Sequence, residues 1–270
     1  MTTRYLASLT LPLLLALAAC SGPETPAPAA PAASAPTEAA PSEAAPAEAA
    51  PAEGAAPAAP VESGETAAPA PAPAAPTGPA PVAGVDYVEI QNGQPFQPGT
   101  GRIEVAEVFG YTCPHCAQFE PELQAWKKRQ AADVAVVQVP AAFGGYWNPY
   151  ARAFYAAEAL GVLEQSHEAM FNALHLQRSL PVNANLTAAD IAPFYAQYGV
   201  DAKRFADAYN SFGVDAKINR ARQFATRTRI EGTPSVVVNG KYTVSVDQGG
   251  FGKMLNTVDW LVAQERGGAN

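Results

Sequence analysis

Residues 102–116, RIEVAEVFGYTCPHC, join a predicted buried strand to a predicted helix. Apolar residues dominate Arg102 to Phe109 without strict alternation, which is typical of a central strand covered on both faces. Gly110 to Thr112 breaks the strand, and apolar residues then recur at helical spacing from Cys113 to Gln130. Val134 to Val139 predicts a second buried strand. The pattern is therefore a βαβ unit, and we expect an α/β fold.

Cys113 and Cys116 stand at the start of the predicted helix, with Pro114 and His115 between them. A cysteine in the first helical turn faces unpaired backbone N–H groups and the positive end of the helix dipole, which favour the thiolate. Pro114 suits this turn because its missing N–H has no intrahelical partner there. The spacing places Cys116 beneath Cys113, and His115 should lower the pKa of Cys113 further. We predict a redox-active thiol pair whose disulfide is a strong oxidant.

FGYTCPHC at 109–116, the tripeptide Gly232-Thr233-Pro234 and the terminal helix resemble the DsbA family of periplasmic thiol:disulfide oxidoreductases. The resemblance covers roughly residues 85–266 and implies a thioredoxin-like fold with an inserted helical domain, here at about 143–229. It implies an enzyme that introduces disulfide bonds into reduced exported polypeptides by exchange at Cys113 and Cys116. A membrane partner of the DsbB type would reoxidise it.

The resemblance also assigns roles to residues outside the CPHC motif. In the family, the proline that matches Pro234 is cis and lies against the active disulfide. The residue that matches Thr233 offers its backbone to an incoming peptide and helps to set the redox potential.

Glu107 matches a family acid that passes protons to the buried cysteine, Cys116. A carboxylate among apolar strand residues is costly unless it is neutral or paired, so we predict a raised pKa for Glu107. The family often places Lys or Arg on the next strand to partner this acid. Val134 to Val139 contains neither, and Gln138 could offer only a hydrogen bond.

The predicted helical insertion contains five helices. Asn148-Pro149 is typical of a capped helix start, Thr187 to Asp190 opens the third helix with a cap signature, and Asp201 begins the fourth. After the insertion, Asn239-Gly240 predicts a hairpin with a type I′ turn.

The insertion also contains aromatic and histidine residues. Phe143, Tyr146 and Trp147 could line a substrate groove, but such aromatics more often belong to the core. His167 and His175 fall on the second predicted helix, where solvated or capping roles are expected.

The N-terminus predicts export and lipid anchoring. Leu6 to Ala19 is a mostly apolar run after Arg4, as in a signal peptide at 1–19. Leu17-Ala18-Ala19-Cys20 resembles a bacterial lipobox, in which the cysteine is diacylated and becomes the mature N-terminus. We expect a periplasmic protein held by Cys20, in the outer membrane rather than the inner because Ser21 is not Asp. The alternative is an ordinary signal peptide cut elsewhere.

Residues 20–83 are predicted to be a lipidated N-terminus and a disordered Ala/Pro-rich linker, followed by one domain at 84–270. The linker holds 16 of the chain's 26 prolines, and it also holds 26 alanines. Such a segment cannot bury enough apolar surface to fold. It carries −7 of the net charge of −8 and Arg4 carries +1, which leaves −2 for the domain. This balance argues against a nucleic-acid partner.

The same residues leave two other functions open. An envelope disulfide reductase would use the same cysteines with the opposite electron flow. A lipid-anchored metal-binding module could use Cys113, Cys116 and a histidine. We expect neither a metal site nor a cofactor, because Pro114 and Thr233-Pro234 have no purpose in the metal interpretation. We expect a monomer. Isomerase activity is not expected, since the linker cannot form the dimerisation domain that such enzymes use.

Overall fold

The computed structural model of the protein describes residues 76–268. The predicted signal peptide at 1–19, the lipidation site Cys20 and most of the predicted linker lie outside the described residues. Residues 76–83, the end of that linker, form no helix or strand apart from an isolated bridge between Ala83 and Tyr87. In the part of the chain that is described, no helix combines the length and hydropathy needed to cross a membrane.

The predicted βαβ unit is present. It consists of β2 (Ile103–Phe109), α1 (Pro114–Lys128) and β3 (Val134–Pro140). The strands β2 and β3 are parallel, and their register pairs Glu107 with Gln138. Because α1 begins directly after the turn that follows β2, its N-terminus lies at the carboxyl end of the central strand.

Three further strands complete a mixed sheet with the order β1-β5-β4-β2-β3. They are β1 (Val88–Glu89), β4 (Ser235–Val238) and β5 (Tyr242–Ser245). The turn Asn239-Gly240 joins β4 to β5 with φ values of 48° and 69°, as the predicted type I′ hairpin requires. The prediction of a thioredoxin-like α/β sheet is therefore confirmed.

The helical insertion follows β3 and contains five α-helices, as predicted. Its elements are α2 (Trp147–Ala159), α3 (Leu163–His175), α4 (Ala188–Tyr195), a 3-10 helix (Ala196–Tyr198), α5 (Ala202–Tyr209) and α6 (Phe212–Arg227). The capping roles predicted for Thr187 and Asp201 are confirmed. The predicted cap Asn148 is wrong, because α2 starts one residue earlier and the Asn148 side chain accepts a hydrogen bond from the Gly144 N–H instead.

Two hydrophobic cores enclose β2. Val105 packs with residues of α1 and of the C-terminal helix α7 (Gly250–Gly268). Ala106 and Val108 belong to a larger core that the insertion shares. The central strand is therefore covered on both faces, which isolates any polar side chain that it carries.

Candidate active site

The cysteine pair lies at the junction of β2 and α1. Cys113 is the N-cap residue of α1, and Pro114 occupies the first turn, as predicted. The Cys113 side chain reaches the edge of the core and is 8% exposed, whereas Cys116, one turn further along α1, is completely buried. Only one of the two sulfurs is therefore open to an incoming thiol.

The surroundings of Cys113 stabilise its thiolate. The Cys116 thiol, the Thr233 side chain and the backbone N–H groups of His115 and Cys116 all hydrogen-bond to its sulfur, and together they lower the pKa of Cys113 to about 5. Burial opposes this shift without cancelling it. Donors at the start of a helix thus act as the sequence predicts.

The surroundings of Cys116 have the opposite effect. Burial raises the pKa of the Cys116 thiol far above its ordinary value, and the neighbouring Cys113 and Glu107 raise it further. Cys116 therefore remains protonated at neutral pH whenever the pair is reduced.

The Thr233-Pro234 segment lies against this pair, as the family resemblance implies. Its peptide bond is cis, and the Thr233 carbonyl accepts a hydrogen bond from Cys113 Sγ at 3.4 Å. This segment comes from a loop 120 residues away in sequence, so the fold itself brings it to the active cysteine.

The His115 side chain is exposed at the surface of α1. Its backbone N–H, rather than its imidazole, contributes to the low pKa of Cys113. The predicted effect of the imidazole on Cys113 stays a prediction.

Glu107 lies beneath the cysteine pair and is fully buried on β2. Neither of its carboxyl oxygens has a hydrogen-bond partner among the residues that the structure describes. Burial raises the pKa of Glu107 well above its ordinary value, and the carboxylate of Glu120 and the sulfur of Cys113 add to this shift. The raised pKa predicted from the sequence is present.

Two further buried polar residues were not predicted as site residues. Glu120, on α1, and His167, on α3, are 3% and 5% exposed, and His167 Nε2 lies 3.5 Å from Glu120 Oε2. The solvated or capping role expected for His167 is therefore wrong. His175 is partly buried, and its Nε2 lies 2.7 Å from the Tyr111 carbonyl oxygen.

Sequence spacing contained signals for both residues. Glu120 follows Cys116 by four positions and so lies on the same buried face of α1. His167 precedes Met170 and Phe171 by three and four positions, which places it on the apolar face of α3.

Three aromatic residues pack on one another beside Gly110, which belongs to the turn before Cys113. Phe143 and Tyr146 are 45% and 46% exposed, so the core role favoured for them is wrong. Trp147 is partly buried, and its ring packs so closely on Gly110 that a Cβ at this glycine would collide with it. These rings leave an apolar surface beside the loop that carries Cys113.

Between 76 and 268, no group of three or more His, Cys, Asp and Glu side chains is arranged to hold an ion.

Comparison with known proteins gives a consistent result. The chain matches the DSBA-like thioredoxin domain over residues 104–253. It is 39% identical over 189 residues to the thiol:disulfide interchange protein DsbA of Pseudomonas aeruginosa, which covers 69% of this chain and 87% of that protein. The protein of the same name from Burkholderia cepacia is 42% identical over 163 residues, covering 60% of this chain and 75% of the relative.

Solved structures agree with the sequence relatives. The crystal structure of the oxidoreductase DsbA from Xylella fastidiosa superposes with a TM-score of 0.67 at 50% identity, covering 69% of this chain and 98% of that one. The crystal structure of Pseudomonas aeruginosa DsbA gives a TM-score of 0.62 at 37% identity, covering 68% and 94%. The fold, the cysteine pair and these relatives lead to one conclusion: the chain belongs to the family of DSBA-like thioredoxin domains.

Proposed function

We propose that this protein is a thiol:disulfide oxidoreductase that introduces disulfide bonds into reduced exported polypeptides through Cys113 and Cys116. The observation that carries the proposal is that the surroundings shift the pKa values of the two cysteines in opposite directions. The pKa of Cys113 is lowered to about 5 while that of Cys116 is raised. A sulfur that solvent can reach and whose thiolate is stable is both a point of attack and a good leaving group.

The reaction begins with the oxidised pair. A substrate thiolate attacks Cys113 Sγ, forming a mixed disulfide and breaking the Cys113–Cys116 bond. Cys116 leaves with the bonding electron pair and takes up one proton. A second thiolate of the substrate then attacks the substrate sulfur of the mixed disulfide, and Cys113 leaves as a thiolate. The substrate loses two electrons and gains a disulfide, while the enzyme becomes the reduced dithiol.

The direction of electron flow follows from the reduced state. Every donor around Cys113 stabilises its thiolate, and a disulfide sulfur carries no charge for those donors to stabilise. The reduced enzyme is therefore favoured over the oxidised one, which makes the disulfide a strong oxidant.

Glu107 is the proposed proton donor for Cys116. Its raised pKa keeps a proton available in the buried site. After donation Glu107 is a carboxylate, which takes a proton back from solvent before the next cycle.

Two further parts of the proposal concern where the protein lies in the cell and what reoxidises it. Family membership supports a periplasmic location and reoxidation by a membrane partner of the DsbB type, which accepts the two electrons of the reduced dithiol. Anchoring of a monomer to the outer membrane through diacylated Cys20 is the finer proposal, supported by the lipobox-like Leu17-Ala18-Ala19-Cys20. Palmitate labelling of the wild type but not of Cys20→Ser would support the anchor, and equal labelling of the two would refute it.

A glutathione equilibrium and a peptide assay test the function. The oxidised protein should oxidise a reduced dithiol peptide stoichiometrically, and its reduction potential should lie well above the value of about −270 mV typical of thioredoxin. A potential near that of thioredoxin would overturn the oxidase and favour the envelope reductase. A thiolate–metal absorption band with zinc or copper, without peptide turnover, would favour the metal-binding module.

A further inference from the structure

His167 occupies an aromatic enclosure although its ring is polar. The rings of Phe109, Tyr111, Phe154 and Phe171 lie with centroids 5.1, 5.2, 6.0 and 5.3 Å from that of His167. Solvent reaches little of this side chain, which is 5% exposed. A polar ring in such surroundings is stabilised chiefly by its own hydrogen bonds.

Both ring nitrogens of His167 have polar neighbours. Nδ1 lies 2.7 Å from the Tyr111 hydroxyl oxygen, and Nε2 lies 2.6 Å from Gln138 Nε2. The Glu120 carboxylate is 3.5 Å from the same Nε2. The imidazole thus connects the α1 carboxylate to the strand position that pairs with Glu107.

The charged and titratable groups around His167 are mostly acids. Tyr111 faces it from the end of β2, Glu120 faces it from α1, and Glu107 lies beyond Gln138 on β2. The element α2 contributes only the apolar ring of Phe154. Lys127, which is exposed on α1, adds a positive charge that helps to lower the pKa of Glu120.

Two buried acids close to one another cannot both ionise without a compensating charge. The strand β3 carries no Lys or Arg that could supply one. We propose that His167, delivered by the helical insertion, is a positioning residue that supplies a titratable positive charge to the Glu107–Glu120 pair. This inference rests on the proposed function, because Glu107 is taken as the proton donor of Cys116.

The hydrogen bonds of His167 allow two charge states. In the neutral state, Nδ1–H donates to the Tyr111 hydroxyl, and Nε2 accepts from the Gln138 amide. In the protonated state, Nε2–H points to Glu120, and Gln138 turns its amide so that the oxygen accepts. The change requires rotation of one amide and no backbone movement.

A protonated His167 would favour proton transfer to Cys116. When Glu107 gives its proton to Cys116, a second carboxylate appears beside Glu120. The imidazolium then balances this added charge. The measured contact is between His167 Nε2 and Glu120 Oε2, at 3.5 Å, and an opposite charge within about 4–6 Å changes an ionisation equilibrium about tenfold or more.

The direct test is the NMR titration of the His167 ring protons in the intact domain between pH 4 and 9. Glu120→Gln removes the carboxylate that lies 3.5 Å from Nε2 and should move the protonation midpoint of His167 to lower pH. The same substitution should leave the midpoint of His175 unchanged, because that ring bonds to the Tyr111 carbonyl. An unmoved His167 midpoint would overturn the proposal, even if His167 variants fail to fold.

The functional test compares rates of mixed-disulfide formation, divided by substrate thiolate concentration, at pH 5.5 and 8. At pH 5.5, His167→Gln should be about tenfold slower than the wild type, because it lacks the positive charge beside Glu120. His167→Gln should be slow at both, and His167→Gln/Gln138→Lys, which carries a charge that does not titrate there, should be fast at both. His175→Gln should keep the wild-type profile. A wild-type profile in His167→Gln would overturn the proposal.

The two tests separate this inference from the proposed function. If the wild type oxidises no dithiol peptide at any pH, the oxidase proposal fails, while the Glu120→Gln titration still decides the charge of His167. If oxidation proceeds but His167→Gln changes nothing, only the inference fails.

Discussion

The two cysteines lie in the same helical turn, yet their surroundings give them very different acidities. Cys113 lies at the open start of α1 among hydrogen-bond donors, and its pKa falls to about 5. Cys116 is fully buried beside Glu107, and its pKa rises. Only two residues, Pro114 and His115, separate the cysteine with the stable thiolate from the cysteine that stays protonated.

The comparison shows that the asymmetry comes from two different parts of the fold. The donors above Cys113 are mainly local to the CPHC turn, with Thr233 added from the loop before β4. The polar cluster below Cys116 requires β2, α1, β3 and the insertion together. Substitutions among the donors to Cys113 can therefore change its chemistry with small effects on folding. Substitutions in the polar cluster around Cys116 also change the stability of the fold.

Removing one sulfur at a time should give the largest effects. Cys113→Ser should reduce peptide oxidation to background, because Cys116 is too buried to be attacked. Cys116→Ser should instead accumulate mixed disulfides through Cys113, visible on non-reducing gels and identifiable by mass spectrometry. Mixed disulfides that form through Cys116 in Cys113→Ser would contradict the assignment of the two roles.

The pKa difference predicts a wide separation in alkylation. In the reduced protein, the rate of Cys113 modification by iodoacetamide should be half-maximal near pH 5 and constant above about pH 6.5. Cys116→Ala removes the first donor to Cys113 and should move this midpoint upward. A rate that keeps rising to pH 9 in the wild type would contradict the lowered pKa.

The same pKa sets the pH dependence of stability in the reduced form. Folding lowers the pKa of Cys113 from 9.0 to about 5. The contribution of its thiolate to the free energy of unfolding is therefore complete above pH 9 and is lost as the pH falls toward 5. Urea denaturation of the reduced wild type and of Cys113→Ser should show this contribution shrinking across that window. A difference that is constant with pH would contradict it.

Below the pair, Glu107→Gln should raise stability at neutral pH. An acid whose folded pKa is raised costs stability as the pH rises above its unfolded pKa, here near 4.5. Between pH 4 and 7, the free energy of unfolding of the variant should therefore rise by at least about 1 kcal/mol relative to the wild type, measured by urea denaturation.

The rate of the same variant tests the role of Glu107 in catalysis. Exchange by Glu107→Gln should be slowed, because the amide has no proton to give to Cys116. An exchange rate unchanged at every pH would reject the proton role, whatever the effect on stability.

The smallest expected effect is at Thr233. Thr233→Val removes the side-chain donor to Cys113 and should raise the pKa of Cys113 by about one pH unit, measured by thiolate absorbance. Thr226→Val is a matched control, because the Thr226 hydroxyl bonds only to the Arg222 carbonyl of its own helix. Equal pKa values of Cys113 in the two variants would show that the Thr233 side chain does not donate a hydrogen bond to Cys113.

Residues that are close in sequence were the easiest to predict. The bounds of β2, α1 and β3 follow from local apolar spacing, and the apolar neighbours of Glu107 were enough to predict its raised pKa. The cluster below Cys116 could not be assembled in this way. His167 meets Tyr111 and Gln138 across sequence separations of 56 and 29, and hydropathy patterns carry no information about such contacts.

Partial exposure was also difficult to predict. Phe143 and Tyr146 resemble core residues in composition, but the loop before α2 leaves them at the surface. Asn148 has the sequence of a helix cap, and its side chain instead holds the turn that precedes the helix. In both cases a tertiary contact decided between local alternatives of similar energy.

The packing of Trp147 on Gly110 gives the protein a built-in optical reporter. Gly110 is held to the active turn by the hydrogen bond from the Cys113 N–H to its carbonyl, at 3.0 Å. Trp126 is buried in the other core, with its indole N–H on Asp259. We expect the emission of Trp147 to change when the disulfide opens while that of Trp126 stays constant. Wild type and Trp147→Phe would then follow turnover without any added dye.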